Sequence, residues 1–171
     1  LNQGDIFFAR AQYTITDGGC TDNDSVIIKI TGINDAPIAD SNKYFLSQTN
    51  SISIPAPGIL ADDRDIDHAS SIQVGEVNGS AANVNTLITL SSGASLTVNA
   101  NGSFMYDPKC LAAGLDSFTY AIKDEHNTLS NTVKVYLQIM QTLWYVNNTG
   151  ANGTGSFSSP FNTLSNAVSA S

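Results

Sequence analysis

Charge is scarce in this sequence, and positive charge is scarcest. Asp and Glu number 15 among 171 residues and Lys and Arg only 7, for a net charge of −8 and a pI near 4.3. Charged residues make up 13% of the chain, about half of the usual share of roughly 25%. Phosphate binding needs clustered bases, and seven scattered ones exclude a nucleic-acid role. Two cysteines, Cys20 and Cys110, are too few for a disulfide framework, and they read as free or buried thiols. No apolar run approaches the roughly 20 residues of a membrane span, and no signal peptide is visible. The first residue is Leu1, in mid-pattern, so the chain reads as an excerpt from something longer.

What the sequence does have is a core and a repeat. Apolar residues make up 42%, enough to fold, and Asn, Ser, Thr and Gly take the place of charge. The chain matches itself without a gap at an offset of 107 residues. Tyr13-Thr14-Ile15-Thr16-Asp17 falls over Tyr120-Ala121-Ile122-Lys123-Asp124. Ser25-Val26-Ile27-Ile28-Lys29-Ile30 falls over Thr132-Val133-Lys134-Val135-Tyr136-Leu137. Both blocks alternate with period two, the mark of a half-buried strand. A unit of about 100 residues closing on two such strands has the size of an Ig-like sandwich.

Residues 1–36 then hold the last two strands of a preceding unit, and residues 37–139 make a complete one. Strands are predicted at Lys43–Ser47, Ser51–Ile54, Ser71–Val77, Thr86–Leu90, Ser95–Val98, Ser103–Tyr106, Ser117–Lys123 and Asn131–Ile139. Pro55-Ala56-Pro57-Gly58, Asn78-Gly79, Ser92-Gly93 and Asn101-Gly102 supply the turns between them. The expected fold is all-β, an antiparallel sandwich. Residues 140–171 carry no charged side chain, unlike the rest, and form a third segment. Within it Phe161, Leu164 and Val168 stand at helical spacing and predict a short amphipathic helix.

Chemistry is concentrated in one loop and its neighbours. Asp63, Asp65 and Asp67 alternate, so their carboxylates can converge on a hard cation when the loop curls. The EF-hand pattern is not met, since its Gly and closing Glu are absent. A solvated, self-repelling loop is the plainer reading. In a sandwich, however, the incoming linker, this loop and the loop joining the last two strands share one end. That puts Asp35, Asp63, Asp65, Asp67 and Asp124 on one pole, with Glu125 beside them, and calcium is the expected cofactor. By the offset, Asn34 and Asp35 correspond to Gln141 and Thr142, so the second junction lacks this carboxylate.

Other features read as structural. Asp116, Tyr120 and Ile122 have the spacing of a tyrosine corner, in which the hydroxyl satisfies a main-chain group. Asp124, His126 and Ser130 crowd into one loop without a nucleophile elbow, which is not triad geometry. His68 and His126 read as exposed, and a zinc site from two histidines and two distant cysteines is weak. Asn-x-Ser/Thr sequences at Asn23, Asn78, Asn101, Asn147 and Asn152 are expected by chance in this composition.

Thr31-Gly32-Ile33-Asn34-Asp35-Ala36-Pro37 resembles the boundary signature of bacterial cadherin-like and Ig-like tandem repeats. Ala56–Asp63, the acidic loop, Leu96–Phe104 and Asp116–Tyr120 match the same family. The resemblance implies a large secreted or cell-surface protein, often an adhesin, with calcium at some domain boundaries. Here Asp62-Asp63 replaces the usual Asn-Asp, and Arg64 interrupts the acidic run. Trp144–Asn148, Gly153–Ser156 and Ser159–Leu164 resemble the start of a right-handed parallel β-helix of the pectin-lyase-like type. The expectation is a non-catalytic structural and adhesive spacer, extracellular, whose partners are neighbouring repeats and a cell-surface or polysaccharide ligand. Two rivals stand beside it: an ancillary domain of a polysaccharide-degrading enzyme, and a sugar-binding module, which would need exposed aromatics on one sheet face.

Overall fold

A computed structural model describes residues 1–48, 50–67, 71–109, 111–141, 145–147, 151–156 and 158–169. The first two strands, β1 (Ile6–Thr16) and β2 (Thr21–Thr31), form an antiparallel sheet of their own, in unbroken register from Ile6 opposite Thr31 to Thr16 opposite Thr21. Their turn closes on Asp17, whose carboxylate accepts the backbone N–H of Gly19 at 3.0 Å and of Cys20 at 2.8 Å.

The complete unit has the eight expected strands: β3 (Asn42–Ser47), β4 (Ile52–Ile54), β5 (Gln73–Val77), β6 (Leu87–Thr89), β7 (Ser95–Val98), β8 (Phe104–Asp107), β9 (Gly114–Lys123) and β10 (Val133–Met140). They form two four-stranded sheets, ordered β3-β10-β9-β5 and β4-β8-β7-β6. All pairs are antiparallel except β3 with β10, where the first strand of the unit lies parallel to the last. β10 begins at Val133 rather than Asn131, because the Asn131 side chain leaves the ladder to bind both main-chain groups of Ala39 at 3.0 Å.

Alternation decides what is buried. Phe104 and Tyr106 of β8 face Phe118, Tyr120 and Ile122 of β9, with Leu96, Val98, Val135 and Leu137 filling the layer between the sheets. The Phe104 ring meets Tyr44 edge-on at 4.9 Å and Phe118 at 5.9 Å. A fully buried side chain of this kind stabilises the fold by roughly 1.5–3 kcal/mol. With these aromatics inside, the exposed aromatic row that a sugar-binding sheet needs is not formed by them.

Turn chemistry matches the sequence. Asn78 and Gly79 both take positive φ, 48° and 72°, and Val77 and Ser80 exchange two 3.1 Å hydrogen bonds around them. Gly58 and Gly102 are required for another reason: a Cβ on either would strike main-chain oxygen of the facing loop, where Ile59 N donates to Gly102 O at 3.1 Å.

In the last segment Val146 and Phe161 form a parallel bridge, Gly155 O accepts from Tyr145 N at 2.9 Å, and Phe161 is buried. The expected helix is present as α1 (Leu164–Val168). Thr142, Trp144 and Cys110 lie outside the described residues, as does His68. Among the described residues, no helix is long and apolar enough to cross a membrane.

Candidate calcium junction

The linker between β2 and β3 is held from two sides. Asp35 donates its backbone N–H to Asp67 Oδ2 at 2.8 Å, and Gln3 donates its own to Asp67 Oδ1 at 3.2 Å. Asn34 Nδ2 donates to Asp124 Oδ2 at 2.7 Å, to Thr128 Oγ1 at 2.9 Å and to Asp35 O at 3.2 Å. The acidic loop, the linker and the β9–β10 loop therefore meet at one pole. Glu125 extends the same contact, accepting from Ser71 N at 3.1 Å.

The carboxylates there are not equivalent. Asp67 and Asp124 are buried, Asp65 is half-buried and Asp35 is exposed. Burial pushes the Asp124 carboxyl up, but donors from Asn34, Thr128 and His126 outweigh it and hold the group below its ordinary range. Asp124 Oδ1 takes the backbone N–H groups of His126 and Thr128, both at 2.8 Å, while Ser130 Oγ accepts Ile122 N at 3.0 Å. Asp124 and Ser130 are thus engaged as turn and strand fasteners. Asp65 Oδ1 accepts Asp67 N at 3.0 Å, closing the loop on itself, while Asp65 Oδ2 is buried and has no hydrogen-bond partner among the described residues.

Asp63 makes its contacts elsewhere. Its two oxygens lie 3.0 Å from the Tyr120 hydroxyl, and Oδ1 accepts Asp40 N at 2.8 Å. Burial raises its pKa to about 6, against the lowering effect of those two donors. The Tyr120 hydroxyl also lies 2.9 Å from Asp40 O and from Ile59 O, so it ties the incoming strand to the loop after β4. This is the expected structural role of the tyrosine, but across the sandwich rather than around a local corner. Arg64 bridges Ile38 through two main-chain hydrogen bonds and turns its guanidinium to Asp40 at 3.2 Å. Its charge is thereby matched by Asp40, not left over the acidic loop.

Whether this pole fits calcium rests on its donors. They are all oxygen, as calcium requires. Three of them surround the Asn34 amide nitrogen at 2.7–3.2 Å, a position from which a cation would satisfy the same lone pairs. Among the described residues, no three Asp, Glu, His or Cys side chains stand close enough to hold an ion by themselves. The shell would therefore draw on the Asn34 amide oxygen and on main-chain carbonyls. The linker sequence offers Asn34 with Asp35 as oxygen ligands or a local turn, and the structure gives Asn34 the bridging place between Asp124, Thr128 and Asp35.

The model of the bacterial cadherin-like domain family matches residues 34–141. The chain belongs to that family. The match begins at Asn34, the residue that seats the linker, and ends one residue after β10. No curated protein matches the chain. A bacterial cadherin-like domain is a structural or adhesive module, and that much follows for this chain from its family.

Proposed function

We propose that the cadherin-like unit is a non-catalytic spacer of a secreted or cell-surface protein, and that calcium at its first junction stiffens it against the segment before it. The observation that carries this reading is the double anchoring of the linker: Asn34 to Asp124, and Asp35 to Asp67. A junction fixed through carboxylates transmits orientation from one unit to the next. A cation drawing on Asp124 Oδ2, Thr128 Oγ1, the Asp35 carbonyl and the Asn34 oxygen turned inward, with Asp65 and Asp67 closing on it as the loop tightens, would replace these hydrogen bonds by ion–oxygen contacts. The unpartnered Asp65 Oδ2 supports a ligand there. Asp63 was included in the expected set, but its bonds to Tyr120 and Asp40 make it a fold-holding group in this reading.

Calcium affinity is expected on the order of 10⁻⁴–10⁻³ M, as in extracellular modules. Protein stripped with a chelator should gain melting temperature on addition of millimolar calcium, and Asp67→Asn should abolish the gain. An unchanged melting curve across that titration would remove calcium from the account and leave the fold intact.

Residues 140–171 are read as a linker and the opening of a parallel β-helix. The parallel bridge between Val146 and Phe161, followed directly by α1, supports it.

A further inference from the structure

Among the described elements, β1–β2 is the one apolar surface whose natural cover can be identified within the molecule itself. Directly opposed residues of an antiparallel pair share a face, so Phe7, Ala9, Ala11, Tyr13 and Ile15 lie on one side with Val26, Ile28 and Ile30, and with Asp22 and Asp24 at the turn end. The opposite side is mixed, with Arg10, Gln12, Thr14, Asn23, Ser25 and Lys29 beside Ile6, Phe8 and Ile27. By the 107-residue offset, the apolar side corresponds to the face that β9–β10 turns into the core. Tyr13 and Ile28 are 42% and 53% exposed, while their counterparts Tyr120 and Val135 are 1% and 0% exposed.

The pairing differs as well. Tyr13 lies opposite Asp24, whereas Tyr120 lies opposite Val133, the counterpart of Val26. The displacement is two residues, so it leaves every side chain on its original face. Its origin is visible in the complete unit. The turn there closes from Asp124 N to Thr128 O, one residue longer than Asp17 N to Cys20 O. The chain then inserts one more residue ahead of β10, between Ser130, bonded to Ile122, and Val133, opposite Tyr120. Asn131 lies in that insertion and clamps Ala39 of the incoming segment.

We propose that β1–β2 is an acceptor for the body of a second unit built like residues 37–107, and that docking shifts the hairpin by two residues, bringing Tyr13 opposite Val26. The proposal rests on reading residues 1–36 as the closing strands of such a unit. Its occupant is specified strand by strand. A β3-type strand runs parallel to β2 and a β5-type strand antiparallel to β1, as β3 and β5 flank β10 and β9. The second sheet of that body covers the apolar side, and the Tyr13 hydroxyl leaves Asp24, 3.4 Å away, for main-chain carbonyls.

The test fuses a copy of residues 37–107 directly before Leu1, the join that the offset dictates, and keeps the whole chain after it. Amide exchange in Ala9–Ile15 and Val26–Ile30 should slow at least about a hundredfold relative to the chain without the copy. Nuclear Overhauser contacts across the hairpin should change from Gln12 opposite Ser25 to Gln12 opposite Ile27. The appended Tyr44 should appear opposite Ile30, as Tyr44 lies opposite Leu137. Ile28→Asp in the fused chain should restore fast exchange in the hairpin and leave the downstream unit protected. Slowed exchange with the original pairing would overturn the register change while sparing the reading beneath it. Unchanged exchange would overturn both.

Discussion

β1–β2 and β9–β10 are two hairpins written in closely related sequence, and they experience different forces. In β9–β10 the apolar side faces a second sheet, so Phe118, Tyr120, Ile122, Val135 and Leu137 are removed from water. In β1–β2 the same alternation faces solvent, and local hydrogen bonding alone sets the pairing. The shorter turn and unbroken ladder of β1–β2 are what a hairpin adopts when only the backbone and the turn decide. The longer turn and the Asn131 insertion of β9–β10 appear where another strand has to be gripped. Register is therefore set jointly by the turn and by what the hairpin packs against.

The sharpest way to break this comparison is a charge in each hairpin. Val135→Asp should cost about 4–5 kcal/mol or more, enough to unfold the unit, because a carboxylate would lie among Phe118, Leu137 and the facing sheet. Ile28→Asp at the matching position should leave the unfolding free energy of the unit in urea within about 0.5 kcal/mol of the parent. Equal losses would mean that the hairpin is packed after all.

A smaller contrast concerns the matching acids Asp17 and Asp124. Both are held below the ordinary carboxylate range by donors in their turns, Asp17 by the backbone of Cys20 and Gly19. Asp124 also seats Asn34. Asp124→Ala should cost roughly 2–3 kcal/mol in chemical denaturation, since Asn34, Thr128 and His126 lose the buried carboxylate that accepts their N–H groups. Asp17→Ala should leave the melting of the unit unchanged. Because its pKa is depressed, Asp124 stabilises the fold above its unfolded value of 3.8, and this contribution disappears as pH falls through the folded value.

Asp63 should give the smallest effect, with the opposite sign. Its folded pKa of about 6 exceeds the unfolded 3.8, so the native state binds the proton more tightly. Its contribution is complete below about 3.8 and is lost as pH rises through 6. Asp63→Asn should flatten that part of the stability profile between pH 4 and 7. A profile that keeps its slope in Asp63→Asn would place the responsible group elsewhere.

The strand pattern was legible because alternation is a local property. Ser95–Val98 was located to the residue, and the other strands differed only at their ends. Those differences have tertiary causes: Asn131 left β10 to hold Ala39, and β9 extends back to Gly114 because Ile139 of β10 lies opposite it. The candidate junction was half legible. Three carboxylates at alternate positions suggested common purpose, yet the chain folds so that Asp67 holds the linker, Asp65 closes the loop on itself and Asp63 meets Tyr120, 57 residues away. No local pattern separates Asp63 from its neighbours, because the partner that claims it comes from another strand.

By itself the sequence determined an all-β sandwich, its turns and the kinship of its two hairpins, since period-two burial and Asn-Gly backbone preferences act between near neighbours. Tertiary structure alone decided which acids share the junction, that Asn34 bridges it, and how β9–β10 is registered. Those outcomes depend on groups brought together from distant positions, whose desolvation and hydrogen bonding have no value until the sheets have closed.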